Sequence, residues 1–256
     1  MVYNIFMREN LEEKYNSLLE ESKTNKDIIG LFLGGSRGKD NDFITKDSDM
    51  DVYVIISDTT SKELKEKLEK YKSEWFESRI MTFYEFKQYA NWGSDREWDR
   101  YNFTHNKTVI DKTGEIQILM DDKGKLPLEV QKHVISDSLD SYFNQVYRSA
   151  KYTRDGKEFS SYLDASESMP LLMTALYALE GRLKPYNKYF EWELRNHPLK
   201  LLPWPVDEFI KDYRHILQTG DFETQSKIFK EIKKLFLDNG FNSLIREWDN
   251  YYFVGR

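Results

Sequence analysis

Residues 28–57 constrain this chain more than any other stretch. They read IIGLFLGGSRGKDNDFITKDSDMDVYVIIS. The apolar run from Ile28 to Leu33 predicts a buried strand. It breaks at Gly34-Gly35-Ser36-Arg37-Gly38, passes through a polar loop, and resumes as Val52 to Ile56 after Asp49-Met50-Asp51. Side chains two apart on a strand share a face, so Asp49 and Asp51 project together while Met50 points away. Two adjacent carboxylates repel unless a cation sits between them. Mg²⁺ takes oxygen ligands from one or two carboxylates plus substrate phosphates. Glycines at 34 and 35 let the backbone approach a phosphate closely, and free N–H groups would bind it. Ser36 adds a hydroxyl. The pattern predicts a site for a nucleoside triphosphate and a divalent metal; the plain alternative is a hairpin whose loop is rich in Asp and Gly.

On Gly35-Ser36, the spacer, Asp49-Met50-Asp51 and the two flanking strands, the chain resembles the nucleotidyltransferase superfamily typified by DNA polymerase beta. Within it, the chain looks most like bacterial enzymes that nucleotidylate aminoglycoside and lincosamide antibiotics. The motif covers about a tenth of the 256 residues. The resemblance implies a third metal-binding carboxylate on a neighbouring strand. Residues 74–82 read as that strand, and Glu77 is its acid flanked on both sides by strand formers; Glu74 is the fallback. Family members often carry Asp there. A Glu77–Arg79 pair on an exposed edge is the structural alternative.

Composition sets the outer bounds. The chain is 39% hydrophobic and 15% aromatic, enough for a real core. It lacks an 18-residue apolar run and a basic-then-apolar N-terminus, so no membrane span or secretory signal is expected. The absence of cysteine excludes disulfides and fits a cytoplasmic location. Net charge is 38 − 44 = −6, which suits a cationic or neutral small acceptor better than long nucleic acid.

The rest of the chain divides near residue 124. Before it, an amphipathic helix is predicted at 9–22, a helix at 61–72 capped by Thr60-x-x-Glu63, and a helical, aromatic-rich stretch at 83–104 with a second capping box at Ser94-x-x-Glu97. Those aromatics suit core packing better than a pocket for a flat ligand. A further strand is predicted at 107–111, with Asp111 as a turn residue, and a polar link around 120–127. Beyond it only helices are predicted: 127–154, 158–180 kinked at Pro170 and closed by Gly181, 187–196, 206–217, 221–238 and 241–252. The predicted fold is α+β. A nucleotidyltransferase domain with a small mixed sheet and flanking helices spans 1–123, and an all-α bundle spans 124–256 as the substrate-binding domain.

In the second domain Asp164 and Glu167 lie three apart on one helical face, beside an apolar stripe of Leu163, Met169, Leu172, Met173 and Leu176. Such carboxylates suit a cationic substrate and a proton from its hydroxyl; a solvated helix face is the alternative. Similar enzymes place a general base in such a helix, which implies Glu167 as base and Asp164 as substrate anchor, with the roles interchangeable. They also use C-terminal-domain lysines on triphosphate, which implies Lys188 as a phosphate contact, and Arg37 would act likewise from the glycine turn. The four histidines have no partners at metal-ligand spacing. The expected activity is Mg²⁺-dependent transfer of a nucleoside monophosphate, with ATP the favoured donor, to a hydroxyl of an antibiotic-like small molecule. The alternatives are the same chemistry on a protein or metabolite, and a silent nucleotide-binding module.

Overall fold

The structure is a computed structural model and describes residues 2–39 and 43–249, with side chains from residue 11 to 248 outside that gap. The chain separates into two compact units, Met1–Lys125 and Leu126–Arg256. The architecture is α+β: a small four-stranded mixed sheet with helices, then a helical region.

The first unit opens with α1 (Val2–Thr24), followed by β1 (Ile28–Leu33), β2 (Met50–Ile56), α2 (Lys62–Glu69), β3 (Phe76–Thr82), α3 (Phe83–Gln88), a 3₁₀ turn (Glu97–Phe103), β4 (Thr108–Asp111) and α4 (Ile116–Lys123). The sheet order is β3-β2-β1-β4. β1 pairs antiparallel with β2 and with β4, whereas β2 and β3 run parallel, joined by the α2 crossover. Both faces of the sheet are covered, which is why β1 and β2 read as nearly continuous apolar runs. On one face Leu31, Val52, Val54, Phe76 and Ile80 pack with Leu11 and Leu18 of α1 and Leu68 of α2. On the other, Phe32, Tyr53, Ile55 and Met81 pack with Phe86, Phe103, Ile116 and Met120. The aromatics of 83–104 are largely spent here: Phe32 stacks on Tyr53 at 4.6 Å, and Phe86 and Phe103 meet them at an angle.

Several local expectations shift. The helical stretch at 83–104 is two short elements, because Ala90 (φ 55°) and Gly93 (φ 79°) turn the backbone left-handed between them. The cap of α2 is Ser61, accepting from Leu64 N, rather than Thr60. The capping box belongs to α3, where Thr82 and Glu85 bond reciprocally. At the second expected box, Glu97 accepts from Gly93 N and Ser94 donates to Asn91 O. The third strand starts at Phe76, leaving Glu74 before it. Asp111 serves its turn, accepting from the N–H groups of Thr113, Gly114 and Gln117. The expected polar link begins inside α4 and takes in its second half, and the helix buries Ile116 and Met120.

Lys123, in the last turn of α4, is buried and donates to Lys87 O, Tyr89 O and Asn91 Oδ1 at 2.7–3.2 Å. Burial, then the Arg100 charge, pushes its ammonium down to about 8. A depressed folded value means the charged form is penalised by folding, so stability is lost as pH falls through 8 and regained above it. Relative to Lys123→Met, the wild type is expected to gain about 1 kcal/mol between pH 7 and 9 in urea unfolding; a constant difference would show that the ammonium is not penalised.

The second unit contains α5 (Leu128–Arg154), α6 (Glu158–Leu179), a 3₁₀ turn (Asn187–Tyr189), α7 (Phe190–Asn196), α8 (Val206–Thr219), α9 (Phe222–Asp238) and α10 (Asn242–Asp249). α5 and α6 form an antiparallel pair, with contacts from Ser149–Ser161 through Gln145–Glu167 to Gln131–Ala178. α6 runs through Pro170 as one element. It closes at Gly181 (φ 68°), with Arg182 N bonded back to Tyr177 O. Tyr142 and Phe143 of α5 pack on Phe229 of α9. Residues 250–252 of the expected last helix lie outside the described residues. Among the described residues no helix is long and apolar enough to cross a membrane.

Candidate active site

The glycine turn lies against the start of β2. Gly34 N donates to Asp51 O at 2.8 Å, and Gly38 N closes the turn on Gly34 O at 2.8 Å. A Cβ on Gly34 would stand 2.6 Å from the Tyr53 ring, and one on Gly35 would stand 2.1 Å from Asp51 Oδ2. Gly35 also has φ 52°. Only glycine allows this approach at a left-handed backbone angle. Ser36 is buried in the same turn. Residues 40–42 of the loop lie outside the described residues.

Arg37 does not extend into open space as a phosphate ligand would. Its side chain is buried, pairs with Glu12 of α1 at 2.7 Å, and donates from Nε to Asp49 O at 3.2 Å. It ties the turn, α1 and the entrance of β2 together. Its Nη2 is buried without a hydrogen-bond partner among the described residues.

Asp49 precedes β2 and Asp51 is its second residue. The parallel register sets Asp51 opposite Glu77 of β3. Burial, then the charges of Asp49 and Glu77, pushes the Asp51 carboxyl up to about 6. The oxygen-only donors, their mutual repulsion and the absence of any Cβ at Gly35 fit a hard divalent cation. As folded, however, no three His, Cys, Asp or Glu side chains among the described residues converge as a metal group. Glu77 explains this: its Oε1 accepts from Arg79 Nη2 at 3.0 Å, and about half of its side chain is exposed. Asp49 and Asp51 therefore form a two-carboxylate set, with Glu77 in register but engaged by arginine.

Sequence reasoning missed the group behind that arginine. Asp99, in the 3₁₀ turn, is only 1% exposed. Its Oδ2 accepts from Arg79 Nη1 at 3.0 Å and from Tyr53 OH at 3.2 Å, and the carboxylate is also bonded by Tyr89 OH and Asn102 Nδ2. Burial raises the Asp99 carboxyl, and Arg79 opposes the shift. Tyr53 is raised by its own burial and by Asp99. A buried charge pair persists only when its remaining donors and acceptors are satisfied. The one sequence signal was an acid enclosed by aromatics, WDRYNF, within the stretch expected to be helical.

The second unit holds the remaining expected residues. Asp164 is 4% exposed, packed between α5 and α6, with Arg148 Nε at 3.3 Å from its Oδ2. Burial raises its carboxyl. Of the expected apolar stripe, Met169, Leu172, Met173 and Leu176 are buried, whereas Leu163 is 43% exposed. Glu167 is exposed and accepts from Gln145 Nε2 at 2.8 Å. Lys188 is exposed, its ammonium 5.5 Å from the Tyr189 ring centre. Of the histidines, His133 and His215 stand beside Asp137 and Asp221 at 3.2 and 3.8 Å.

No protein-family model matches the chain, and no curated protein is similar to it in sequence. Among solved structures it is similar to a nucleotidyltransferase-like protein from Exiguobacterium sibiricum 255-15. The two share 11% identity over 89% of this chain and 78% of that one, with a TM-score of 0.38.

Proposed function

We propose that the protein is a nucleotidyltransferase. It would move a nucleoside monophosphate, AMP by preference, from a triphosphate to a hydroxyl of a small acceptor and release pyrophosphate. The observation that carries this reading is Asp51, set under a glycine that tolerates no Cβ and in register with Glu77. Asp49 and Asp51, with Glu77 once freed from Arg79, would hold Mg²⁺, which when bound neutralises phosphate charge and lowers the pKa of an attacking hydroxyl. The backbone of Gly34-Gly35 and the Ser36 hydroxyl would bind the outer phosphates. The acceptor oxygen attacks the α-phosphorus, the bond to the β-phosphate oxygen breaks, and the hydroxyl proton passes to a carboxylate. Exposure favours Glu167 for that proton, since Asp164 is buried against Arg148. Lys188 would balance charge on the departing pyrophosphate. The acidic balance of the chain and the antibiotic-modifying enzymes it resembles at Gly35-Ser36 and Asp49-Met50-Asp51 support a cationic, aminoglycoside-like acceptor.

Pyrophosphate release tests this directly. The protein is incubated with Mg²⁺ and each ribonucleoside triphosphate, against pooled aminoglycosides, lincosamides or no acceptor, with Asp49→Asn as the blank. Release with one pool establishes the chemistry and the acceptor class. If no pool supports release while triphosphate still raises the melting temperature, the site stands and the acceptor lies outside these pools; neither release nor stabilisation favours the silent module. With the acceptor found, Glu167→Gln is expected to lower kcat about a hundredfold with little change in triphosphate KM. Asp164→Asn should instead lower thermal stability; the reverse pattern would exchange their roles.

A further inference from the structure

The Arg79 guanidinium is shared between two acids of very different surroundings. Nη1 is fixed by the buried Asp99 and by Tyr89, and Nη2 reaches Glu77 at 3.0 Å. Asp99 is held in turn by Tyr53 and Asn102. Tyr53 lies beneath the glycine turn and directly follows Val52 and Asp51 on β2. An arginine free of other partners grips a carboxylate with two parallel N–H bonds. Here one arm is committed to Asp99, so Glu77 receives a single nitrogen and stays half exposed.

We propose that Asp99 is a positioning residue that restrains Arg79, limiting its hold on Glu77 so that Glu77 remains available to a divalent cation beside Asp49 and Asp51. The inference rests on the nucleotidyltransferase reading for its purpose, but its physical content is competition between a guanidinium and a metal ion for one carboxylate. Without the charge on Asp99, Arg79 swings fully onto Glu77 and its neighbour Asp51, and the cation must displace it. Asp99 itself touches neither metal nor substrate. Partners that orient a metal's ligands typically alter affinity by about 10–100-fold when removed.

The test reads metal binding, with Mn²⁺ alone as the probe, followed by electron paramagnetic resonance titration of the full chain. Asp99→Asn is expected to weaken Mn²⁺ by at least about tenfold. The double variant Asp99→Asn/Arg79→Gln, which also removes the competitor, is expected to recover most of that loss. A purely structural role for Asp99 would leave the double variant as weak as the single one, and that result overturns the inference. So does unchanged affinity in a folded Asp99→Asn, or a wild type that binds no Mn²⁺. If Asp99→Asn fails to fold, Arg79→Gln alone decides: it should bind Mn²⁺ at least as tightly as wild type, and weaker binding refutes the competition. Activity is scored separately. Restored Mn²⁺ binding with neither triphosphate-dependent stabilisation nor pyrophosphate release would sink the nucleotidyltransferase reading and keep this one. Release by a wild type whose Mn²⁺ affinity ignores Asp99 would do the opposite.

Discussion

Asp51→Asn is expected to lower Mg²⁺-dependent pyrophosphate release by at least about a thousandfold and to raise the stability of the protein at neutral pH. The two effects share one cause. Asp51 is pushed up to about 6 by burial and by Asp49 and Glu77, against an ordinary value of 3.8. Its ionised form is therefore disfavoured by folding when no cation is present. Because the folded value is the higher one, the stability it contributes is full below pH 3.8 and lost as pH rises through 6. The asparagine keeps the shape and loses the repulsion. At pH 7 the variant should be more stable by about 1–2 kcal/mol, and the gap between variant and wild type should open between pH 4 and 6. Thermal unfolding of both proteins across that range checks the sign. An active Asp51→Asn enzyme would refute the metal assignment, and an unstable one would show that the carboxylate is structurally required.

Gly35→Ala should cost about a hundredfold in turnover, the scale of an ångström's misplacement at a reacting centre. The new Cβ would fall 2.1 Å from Asp51 Oδ2, at a backbone φ of 52°. Either the turn lifts or the carboxylate rotates away, and both remove Asp51 from its place. Backbone strain alone contributes about 1 kcal/mol. Gly93→Ala separates the two causes, since Gly93 also has positive φ but a Cβ there meets nothing within 4 Å. That control should lose a little stability and no activity. If Gly35→Ala and Gly93→Ala behave alike, the turn does not position Asp51.

The sheet and its acidic end were legible because period-two alternation places Asp49, Asp51 and Glu77 without knowledge of any partner. Register was not legible: nothing in the sequence sets Asp51, rather than Asp49, opposite Glu77. Arg79 was visible as the alternative partner of Glu77, but its second partner was not. Asp99 sits in a 3₁₀ turn between left-handed residues, where no helical period marks the inward side. α6 was legible at Met169, Leu172, Met173 and Leu176, which are buried, but not near its start, where Leu163 is exposed and Asp164 is buried beside Arg148 of α5, a partner distant in sequence. Helix starts were misplaced where two hydroxyl residues adjoin, as at Thr60-Ser61. The true capping box at Thr82–Glu85 was written in the sequence but lay at a strand–helix junction with no loop to announce it.

β3 is an outermost strand of the sheet. A strand in that position offers its free backbone groups to any other extended chain, and native proteins discourage such additions with charge near the rim. Glu77 and Arg79 lie on this strand, half exposed and partly exposed respectively. The pair proposed to govern the metal thus also guards the rim against sheet-to-sheet growth. Replacing both with valine would leave FVSVIMT, an uncharged strand segment of high β-propensity.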